Sequence, residues 1–501
     1  MPDSDHDKQA EAAREAGLVF GLESPLPASL PVGQASAVFC AGACFHHEQT
    51  VTGLELLLDG TPRRPLAVRM PRPDLVGAAP GRGSPARRRY RSGFWSILPI
   101  EARERPGRVA IDAAVDLADG TRWVVPLGRI DVVAAPPAPP APPLPMAADL
   151  IAVCLATYEP DPELLRIQVE SLRAQTDDRW ICLLSDDGSS APAWSRILDV
   201  VGDDPRFVVS QAPRRQGFYR NFERALTMVP AEAPLVALCD QDDRWYPEKL
   251  AVLRDALGSS RLVYSDQRLV DRHGTVLRET MWRGRANNHT NLASMLIANT
   301  ITGAATLLRR EVVQLALPFP DTPGLQFHDH WLGLVALAAG DIAYVDRPLY
   351  DYVQHAGAVF GEVDGSAPES ARRPAAGRGS AGWRAAYFCG YLAREQQAET
   401  LLLRCASTLT PRKSRALRRF GASVRSPTAL VWLAARPLRC LLGRTETLGS
   451  EAGLARGVLW RWLIGPAATA STWLGSFSAD AAFPDPLAFQ QKRLRRWRSR
   501  A

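Results

Sequence analysis

Two aspartates separated by one residue follow an apolar segment near the middle of this 501-residue chain. The apolar segment runs from Leu235 to Cys239, and the next four residues are Asp240-Gln241-Asp242-Asp243. Alternate residues of an extended chain project to the same side, so the carboxylates of Asp240 and Asp242 are expected to converge on one ion. Hard cations such as Mg²⁺ and Mn²⁺ prefer carboxylate oxygens, and few protein ligands leave room for substrate phosphates. The spacing predicts a divalent metal site that binds a phosphorylated ligand.

Two other apolar segments also end in polar residues. Leu150 to Leu155 runs into Thr157-Tyr158-Glu159-Pro160, and Trp180 to Leu184 runs into Ser185-Asp186-Asp187-Gly188. Each polar segment alone is typical of a surface turn, where Asp and Gly are favoured. Ligands of open α/β sheets bind beyond the carboxyl ends of the strands, so three such segments at one sheet edge indicate a binding site.

Strands and helices must alternate for these segments to meet. Helical patterns at Glu163 to Ala174 and around Asn221 to Met228 separate the apolar segments, which have few polar residues and are typical of buried strands. Such alternation predicts an α/β fold with a largely parallel sheet that helices cover on both faces.

The rest of the chain differs in composition from this central part. Residues 18–133 contain short apolar segments separated by turn signals such as Asp59-Gly60 and Asp119-Gly120, which predict a β-sandwich-like accessory domain. Residues 134–147 are proline-rich and predict an extended linker. Residues 148–365 then form the α/β domain, residues 366–501 a basic helical region, and residues 1–17 a disordered tail.

Residues from Leu150 to about Gly361 resemble the family 2 glycosyltransferases. Three motifs occur in the order typical of that family: Ala-Thr-Tyr-Glu-Pro at 156–160, Ser-Asp-Asp-Gly-Ser-Ser at 185–190 and Cys-Asp-Gln-Asp-Asp-Arg-Trp at 239–245. The resemblance implies the GT-A fold, the Rossmann-like α/β fold of nucleotide-diphospho-sugar transferases. It also implies that a sugar is transferred from a nucleoside-diphosphate donor to an acceptor hydroxyl with inversion.

The resemblance assigns residues of this sequence to the nucleotide and to the metal. Thr157 and Glu159 would line the nucleotide site, and Asp187 with Asp186 would contact the base or ribose. The helix start at Asn221 resembles the family segment beside the nucleotide. The implied nucleotide-binding residues are Thr157, Glu159, Asp186, Asp187, Asn221 and Asp240, and the implied ligands of Mn²⁺ or Mg²⁺ are Asp240, Asp242 and His355.

A segment further along the chain resembles the part of the family that bears the catalytic base. This segment is Phe327-His328-Asp329-His330-Trp331, and the turn Asn299-Thr300-Ile301-Thr302-Gly303 resembles the acceptor side. An attacking hydroxyl must lose a proton, and a positioned carboxylate accepts one, so Asp329 is the predicted base. The alternative is that Asp329 caps an apolar helix from Trp331 to Ala339.

The identity of the donor sugar rests on weaker similarities. Tyr352-Val353-Gln354-His355 resembles an element of rhamnosyltransferase-like members and, with Asp-Gln-Asp-Asp, favours dTDP-rhamnose. Ala356-Gly357-Ala358 departs from the polar residues that this element would continue with. Two other classes stay open, a nucleotidyltransferase and a catalytically inactive carbohydrate-binding protein. The first usually needs a basic, glycine-rich loop where this chain has the acidic segment Thr157 to Pro162.

Composition and charge indicate which partners and which cellular location to expect. The net charge of +7 is mildly basic, and the basic run from Lys492 to Arg500 fits a solvated tail or a membrane surface. Met1 to Gly17 lacks the apolar core of a secretory signal. We expect a cytoplasmic protein, with peripheral contact to the inner face of the membrane, acting on a glycan or lipid-linked acceptor of cell-surface polysaccharide or glycolipid synthesis. No nucleic-acid partner is expected.

Two histidine-containing groups offer zinc as an alternative metal. Cys40 and Cys44 lie near His46 and His47, and a second group would combine Asp329 with His328, His330 and His355. Val38 to Cys40 instead fits a buried strand, and the paired aspartates already explain a harder cation. The divalent Mn²⁺ or Mg²⁺ site is therefore the preferred prediction.

Overall fold

The computed structural model describes residues 3–72, 75–76, 86–134, 149–282, 287–323, 326–355, 380–442 and 450–467. Residues 135–148, which include nearly all of the predicted linker, lie outside this part, as do residues 356–358 and the basic run from Lys492 to Arg500. The strands of the described part are β1 (Leu18–Leu22), β2 (Ser29–Pro31), β3 (Ser36–His46), β4 (Val51–Leu58), β5 (Thr61–Arg63), β6 (Ala67–Met70), β7 (Gly93–Ile100), β8 (Gly107–Leu117), β9 (Arg122–Val133), β10 (Ile151–Thr157), β11 (Trp180–Asp186), β12 (Phe207–Gln211), β13 (Leu235–Cys239), β14 (Arg244–Trp245), β15 (Leu262–Asp271), β16 (Val276–Arg278), β17 (Thr306–Arg309) and β18 (Ile342–Gln354). Its α-helices are α1 (Asp3–Glu15), α2 (Ala86–Tyr90), α3 (Pro162–Arg173), α4 (Ala191–Val201), α5 (Phe218–Thr227), α6 (Lys249–Leu257), α7 (Leu292–Ile297), α8 (Arg310–Ala316), α9 (His328–Ala339), α10 (Ser380–Ala385), α11 (Leu392–Arg404), α12 (Pro411–Gly421), α13 (Pro427–Ala435), α14 (Pro437–Leu441) and α15 (Ser450–Ala467).

The first nine strands form a β-sandwich. One sheet has the strand order β1-β3-β7-β6 and the other β2-β9-β8-β4-β5. Their inner faces share one core, to which Val38 and Phe94 contribute from one sheet and Leu56 and Ile111 from the other. Asp59-Gly60 forms the predicted turn between β4 and β5, and both residues have positive φ.

The disordered tail predicted for residues 1–17 is wrong. Helix α1 occupies Asp3–Glu15 and packs against β9. Its buried side chains include Ala10 and Ala13, which are 3% and 0% exposed. Because alanine methyl groups form this contact, the helix has a weak apolar pattern, and polar residues dominate its sequence.

The central sheet has the strand order β12-β11-β10-β13-β17-β15-β18-β14, with β16 paired to β15. Strands β12, β11, β10 and β13 are parallel, as expected from the helices between them. Beyond β13 the sheet is mixed, because β17 is antiparallel to both of its neighbours. The prediction of a largely parallel sheet therefore holds for the half that contains the three polar segments.

The register of the parallel strands brings the polar segments together. Thr157 pairs with Asp186 across β10 and β11, and Leu155 pairs with Cys239 across β10 and β13. Helix α3 fixes the connection after β10, because Asp161 caps it by accepting from the N–H of Glu163 at 3.0 Å. All three strand ends therefore lie at one edge of the sheet, as the sequence predicts.

The C-terminal helices pack on both other parts of the protein. Trp95 of the sandwich donates to Tyr387 Oη at 3.1 Å, and α11 packs against β3. Leu433 and Trp460 are buried, whereas the side chain of Leu438 is 59% exposed. Within the described ranges, none of the helices combines the length and the apolar character that crossing a bilayer requires.

Candidate functional site

Asp186 organises the loop after β11. Its carboxylate accepts from Thr157 Oγ1 at 3.0 Å, from the N–H and Oγ of Ser189 at 2.8 and 2.6 Å, and from Gln211 Nε2 at 3.1 Å. The side chain is fully buried. These four hydrogen bonds use the acceptor capacity of the carboxylate, so Asp186 holds the loop in place from below.

Asp187 binds the loop that leads into α5. Its two oxygens accept from the backbone N–H groups of Gln216 at 2.7 Å and Gly217 at 2.8 Å. The same loop passes so close to Gly188 that a Cβ there would lie 3.0 Å from the backbone of Arg214 and Arg215. Gly188 also has φ +75°, so glycine suits this position for two reasons.

Arg215 and Tyr158 form a stacked pair at the same edge. The guanidinium carbon of Arg215 lies 4.0 Å from the centroid of the Tyr158 ring. The backbone N–H of Tyr158 donates to Gln241 Oε1 at 2.8 Å, which joins the end of β10 to the paired aspartates. Arg215 therefore has an aromatic partner beside the end of β10.

Asn221 and Glu159 also make contacts within the protein. Asn221 Nδ2 donates to the carbonyls of Thr157 at 3.1 Å and Ser185 at 2.9 Å, and its Oδ1 accepts from Ser185 Oγ at 2.6 Å. Glu159 accepts from the N–H of Ser190, the residue before α4, at 2.6 Å. Asn221 therefore ties β10 to β11, and any nucleotide contact by its amide stays a prediction.

Asp240, Asp242 and Asp243 concentrate negative charge at the end of β13. Burial raises the pKa of Asp240 to about 7, and the charges of Asp242 and Asp329 add to this effect. Burial also holds the pKa of Asp243 well above its usual range, and its Oδ1 accepts from the N–H of Val353 at 3.2 Å. Like charges this close favour either protonation or a bound cation.

Asp329 lies near this cluster although it is far away in sequence. Its Oδ1 accepts from Asn299 Nδ2 at 3.1 Å and from the N–H of His330 at 2.6 Å, and the N–H of Gly303 is a further donor. Burial raises the pKa of Asp329 to about 7. The predicted base thus lies close enough to the predicted metal site for its charge to act on Asp240.

The capping alternative for Asp329 differs from the structure in detail. Helix α9 begins at His328, and its N-cap position is Phe327. Asp329 lies in the first turn, where a carboxylate interacts favourably with the positive end of the helix. The interaction of Asp329 with the start of α9 is thus compatible with its predicted role as the base.

His355 contacts the predicted metal site through Asp242. Its Nε2 lies 2.7 Å from Asp242 Oδ2, and this hydrogen bond raises the pKa of His355. Metal ligation by His355 stays a prediction, and orienting the Asp242 carboxylate is the role that the contact supports.

The side chains fit a cation that takes its remaining ligands from a substrate. In the part of the chain that the structure describes, no three His, Cys, Asp or Glu side chains are arranged to hold a metal on their own. Asp240 and Asp242 are both partly exposed. Two carboxylates with open coordination positions are typical of sites that bind Mg²⁺ or Mn²⁺ together with phosphate.

Lys249 is the residue of this site that sequence reasoning missed. It is fully buried at the start of α6, and its Nζ donates to the carbonyl of Ala304. The ammonium lies 3.4 Å from the centroid of the Trp245 ring and 4.4 Å from that of Tyr350. The charges of Asp240 and Asp243 act on it, and burial lowers its pKa to about 7. No local pattern around Lys249 distinguishes it from a surface lysine.

We expect Lys249→Met to lower kcat by about 10-fold, equivalent to about 1.4 kcal/mol in the barrier. The change removes the donor to Ala304, next to Gly303, whose N–H binds Asp329. It also removes a positive charge, so the apparent affinity for Mn²⁺ should rise by about 5-fold. Steady-state kinetics across a Mn²⁺ titration measure both effects. Lys413→Met, which removes a lysine that binds the backbone carbonyl of Gly340, is the control; equal behaviour of the two variants would contradict the assignment.

Comparison with known proteins connects this geometry to a family. Residues 152–315 match the model of glycosyl transferase family 2. The uncharacterized protein y4gI of Sinorhizobium fredii is 32% identical over 130 residues, which cover 25% of this chain and 14% of that relative. The chain therefore corresponds to a small part of the length of this relative.

Solved structures of TarS from S. aureus are also similar. The complex of TarS 1-349 with UDP-GlcNAc has 15% identity and a TM-score of 0.38, and the match covers 68% of this chain and 92% of that solved chain. The complex with UDP has 14% identity and a TM-score of 0.36, covering 62% and 90%. Both TM-scores are low, so the similarity to glycosyltransferases depends on the family match.

The family match extends from β10 to α8 and includes the three polar strand ends. It contains Asp240 and Asp242 and ends before Asp329 and His355. The central part of this chain has a GT-A type fold, and its residues 152–315 are similar to glycosyl transferase family 2.

Proposed function

We propose that this protein transfers a sugar from a nucleoside-diphosphate donor to an acceptor hydroxyl in one inverting displacement. The observation that carries the proposal is the position of Asp329 beside the paired aspartates. The negative charge of Asp329 contributes to the raised pKa of Asp240. Burial raises the pKa of Tyr352, and the charges of Asp329 and of the three aspartates after β13 add to this effect. A base and a diphosphate site must lie near each other for a bound acceptor to reach the anomeric carbon.

Asp240 and Asp242 are the residues that would hold a divalent cation, Mn²⁺ or Mg²⁺. The unbalanced charge of the cluster and the partial exposure of both carboxylates support this assignment. Such a cation supplies neutralisation of the charge that grows on the departing diphosphate. His355 orients the Asp242 carboxylate through its 2.7 Å hydrogen bond.

Asp329 is the proposed base of the displacement. The acceptor oxygen forms a bond to the anomeric carbon while the bond from that carbon to the diphosphate oxygen breaks, and the hydroxyl proton passes to the Asp329 carboxylate. A pKa of about 7 suits a general base that works near neutral pH. Asn299 and the N–H of His330 fix the orientation of the carboxylate.

Thr157, Glu159, Asp186 and Asp187 are proposed to shape the nucleotide site. Asp186 and Asp187 do so by fixing two loops, and Arg215 stacked on Tyr158 offers a cationic surface near the strand ends. A donor carrying dTDP-rhamnose is the preferred substrate, on the strength of Asp-Gln-Asp-Asp and Gln-His. The proposed acceptor is a glycan or a lipid-linked saccharide of cell-surface polysaccharide or glycolipid synthesis.

A panel of nucleotide sugars tests the proposal. Full-length protein is incubated with dTDP-rhamnose, UDP-GlcNAc, UDP-glucose and GDP-mannose, with Mn²⁺, with Mg²⁺ or with EDTA, and release of nucleoside diphosphate is measured. We expect metal-dependent release from one donor above all others, and dTDP-rhamnose is the expected one. Asp199→Asn, which changes an exposed carboxylate on α4, is the matched control for the site variants.

The outcomes separate the proposed activity from the alternatives. Metal-dependent release from UDP-GlcNAc instead of dTDP-rhamnose would reject the rhamnosyl assignment and retain the transferase. Release of pyrophosphate from a nucleoside triphosphate and a sugar phosphate would indicate a nucleotidyltransferase. Donor binding without turnover for any donor, with or without metal, would indicate an inactive binding protein.

A further inference from the structure

An apolar stripe lies exposed on the C-terminal helices. It consists of Val431, Ala435, Leu438 and Leu442, all of them exposed, and the three larger side chains are 66%, 59% and 67% exposed. We name these four residues the apolar stripe. Exposed leucines are common singly, but four apolar residues in register form a continuous surface.

The backbone places these four residues on one side. Their spacing of 4, 3 and 4 residues is that of one face of a helix. Helices α13 and α14 are separated by Arg436, whose φ of −61° and ψ of −34° are helical. The N–H of Leu442 then donates to the carbonyl of Leu438 at 3.1 Å, so the helical path reaches the end of the stripe.

The opposite face of the same helices packs into the protein. Ala429, Leu433 and Arg436 are 3%, 0% and 5% exposed. Arg436 pairs with buried Glu451 at 3.2 Å and donates to Ser294 Oγ at 2.8 Å. The helix orientation is therefore fixed by internal contacts, and the apolar stripe lies on the opposite face.

The surface next to the apolar stripe is basic. Residues 405–442 contain eight Lys and Arg and no Asp or Glu. Helix α12 exposes Arg412, Arg415, Arg418 and Arg419, and Arg419 lies 5.2 Å from the ring of Trp432, the neighbour of Val431. Basic side chains beside an exposed apolar helix face are typical of helices that lie in the interface of anionic membranes.

We propose that the apolar stripe and the basic face of α12 bind an anionic lipid surface. The apolar side chains enter the boundary between headgroups and acyl chains, and the arginines contact the phosphate groups. A second copy of this chain fits less well. The stripe is about 18 Å long at 1.5 Å per residue, which gives a far smaller contact than the roughly 800 Å² per partner of a stable interface. Two copies joined there would also bring their basic faces together.

Contacts within the protein connect this surface to the proposed acceptor side of the site. Arg436 binds Ser294 in α7, and α7 ends at Ile297, two residues before Asn299. Asn299 in turn binds Asp329. A membrane held against the stripe would therefore lie on the side of the domain from which α7 leads to the proposed base, which suits a lipid-linked acceptor. This link to the acceptor depends on the proposed function, whereas lipid binding itself does not.

Vesicle binding of the full-length protein tests the proposal. Sedimentation is measured with vesicles of phosphatidylcholine alone and of phosphatidylcholine with about one-third phosphatidylglycerol. We expect binding to the anionic vesicles that weakens as salt is raised. Leu438→Ser/Leu442→Ser should weaken it by about 10-fold or more. Val276→Ser/Leu277→Ser, which changes two exposed apolar residues on β16, should leave it unchanged.

Three results would overturn the proposal. One is equal vesicle binding by the wild type and the Leu438→Ser/Leu442→Ser variant. Another is binding that disappears only when residues 491–501 are deleted, which would assign it to the basic run. The third is a dimer in sedimentation velocity that the same double variant converts to a monomer, which would make a second copy the occupant. Release of nucleoside diphosphate from a soluble donor, assayed without vesicles, keeps a failure of this proposal distinct from a failure of the transferase assignment.

Discussion

Asp242→Asn is expected to lower kcat/KM for metal-dependent sugar transfer by about 10³-fold. Asparagine keeps the shape of the side chain and retains an oxygen that His355 Nε2 can reach, but it removes the negative charge that a divalent cation requires. Asp242 is partly exposed, so the change should leave the thermal unfolding temperature near that of the wild type. Kinetics with saturating donor over a range of Mn²⁺ concentrations measure the effect.

Controls separate loss of the metal site from general damage. Asp199→Asn makes the same chemical change on the exposed face of α4 and should retain full activity. His355→Ala should have a smaller effect than Asp242→Asn, because it removes the residue that orients the carboxylate and leaves its charge. Near-wild-type transfer by Asp242→Asn at limiting Mn²⁺ would reject Asp242 as a metal ligand.

Local sequence patterns predict the parallel half of the central sheet well. Leu235 to Cys239 is the strand β13 as expected, and the helix expected at Glu163 to Ala174 is α3 at Pro162–Arg173. Buried parallel strands are continuous apolar runs, and their carboxyl ends meet at one edge, so the positions of Asp186 and Asp240 follow from the chain order. Because of this regularity, the nucleotide and metal side of the site can be predicted from the sequence.

The acceptor side of the site is harder to predict from the sequence. Asp329 lies 89 residues after Asp240 along the chain, and its position was expected from resemblance alone. The strands between them form the mixed half of the sheet, in which β15 pairs with β18 in parallel and with β17 in antiparallel fashion. Such pairings depend on tertiary packing, and no periodicity in the sequence specifies them.

Buried polar contacts are the other feature that the sequence does not show. Lys249 looks like a surface lysine until its aromatic neighbours Trp245 and Tyr350 are in place. Asn221 was expected beside the nucleotide, yet its amide is bonded to Thr157 and Ser185. A residue type shows what hydrogen bonds a side chain can make, but the fold decides which partners reach it.

Asp329→Asn is expected to lower kcat by about 10³-fold while donor binding stays close to that of the wild type. The amide retains the shape of the carboxylate but cannot accept the proton of the attacking hydroxyl. Donor affinity should change little, because Asp329 is assigned to the acceptor side. Single-turnover transfer and calorimetric binding of the donor measure the two quantities separately.

The pH profile gives an independent test of the same residue. A base with a pKa of about 7 is active when deprotonated, so kcat/KM of the wild type should fall as pH decreases below about 7. Asp329→Asn should lack this decrease in its residual activity. If Asp329→Asn has low activity but its kcat/KM still decreases below about pH 7, another titrating group causes the decrease.

The pH dependence of thermal stability tests the raised pKa of Asp329 without any substrate. A carboxyl group whose pKa is raised on folding stabilises the native state at low pH, and this contribution is lost as pH rises through about 7. Asp329→Asn removes the group, so its unfolding temperature relative to the wild type should be higher at pH 8 than at pH 6. Thermal unfolding at both values measures this difference. An equal difference at the two pH values would mean that Asp329 is not held in the buried environment on which its role as a base depends.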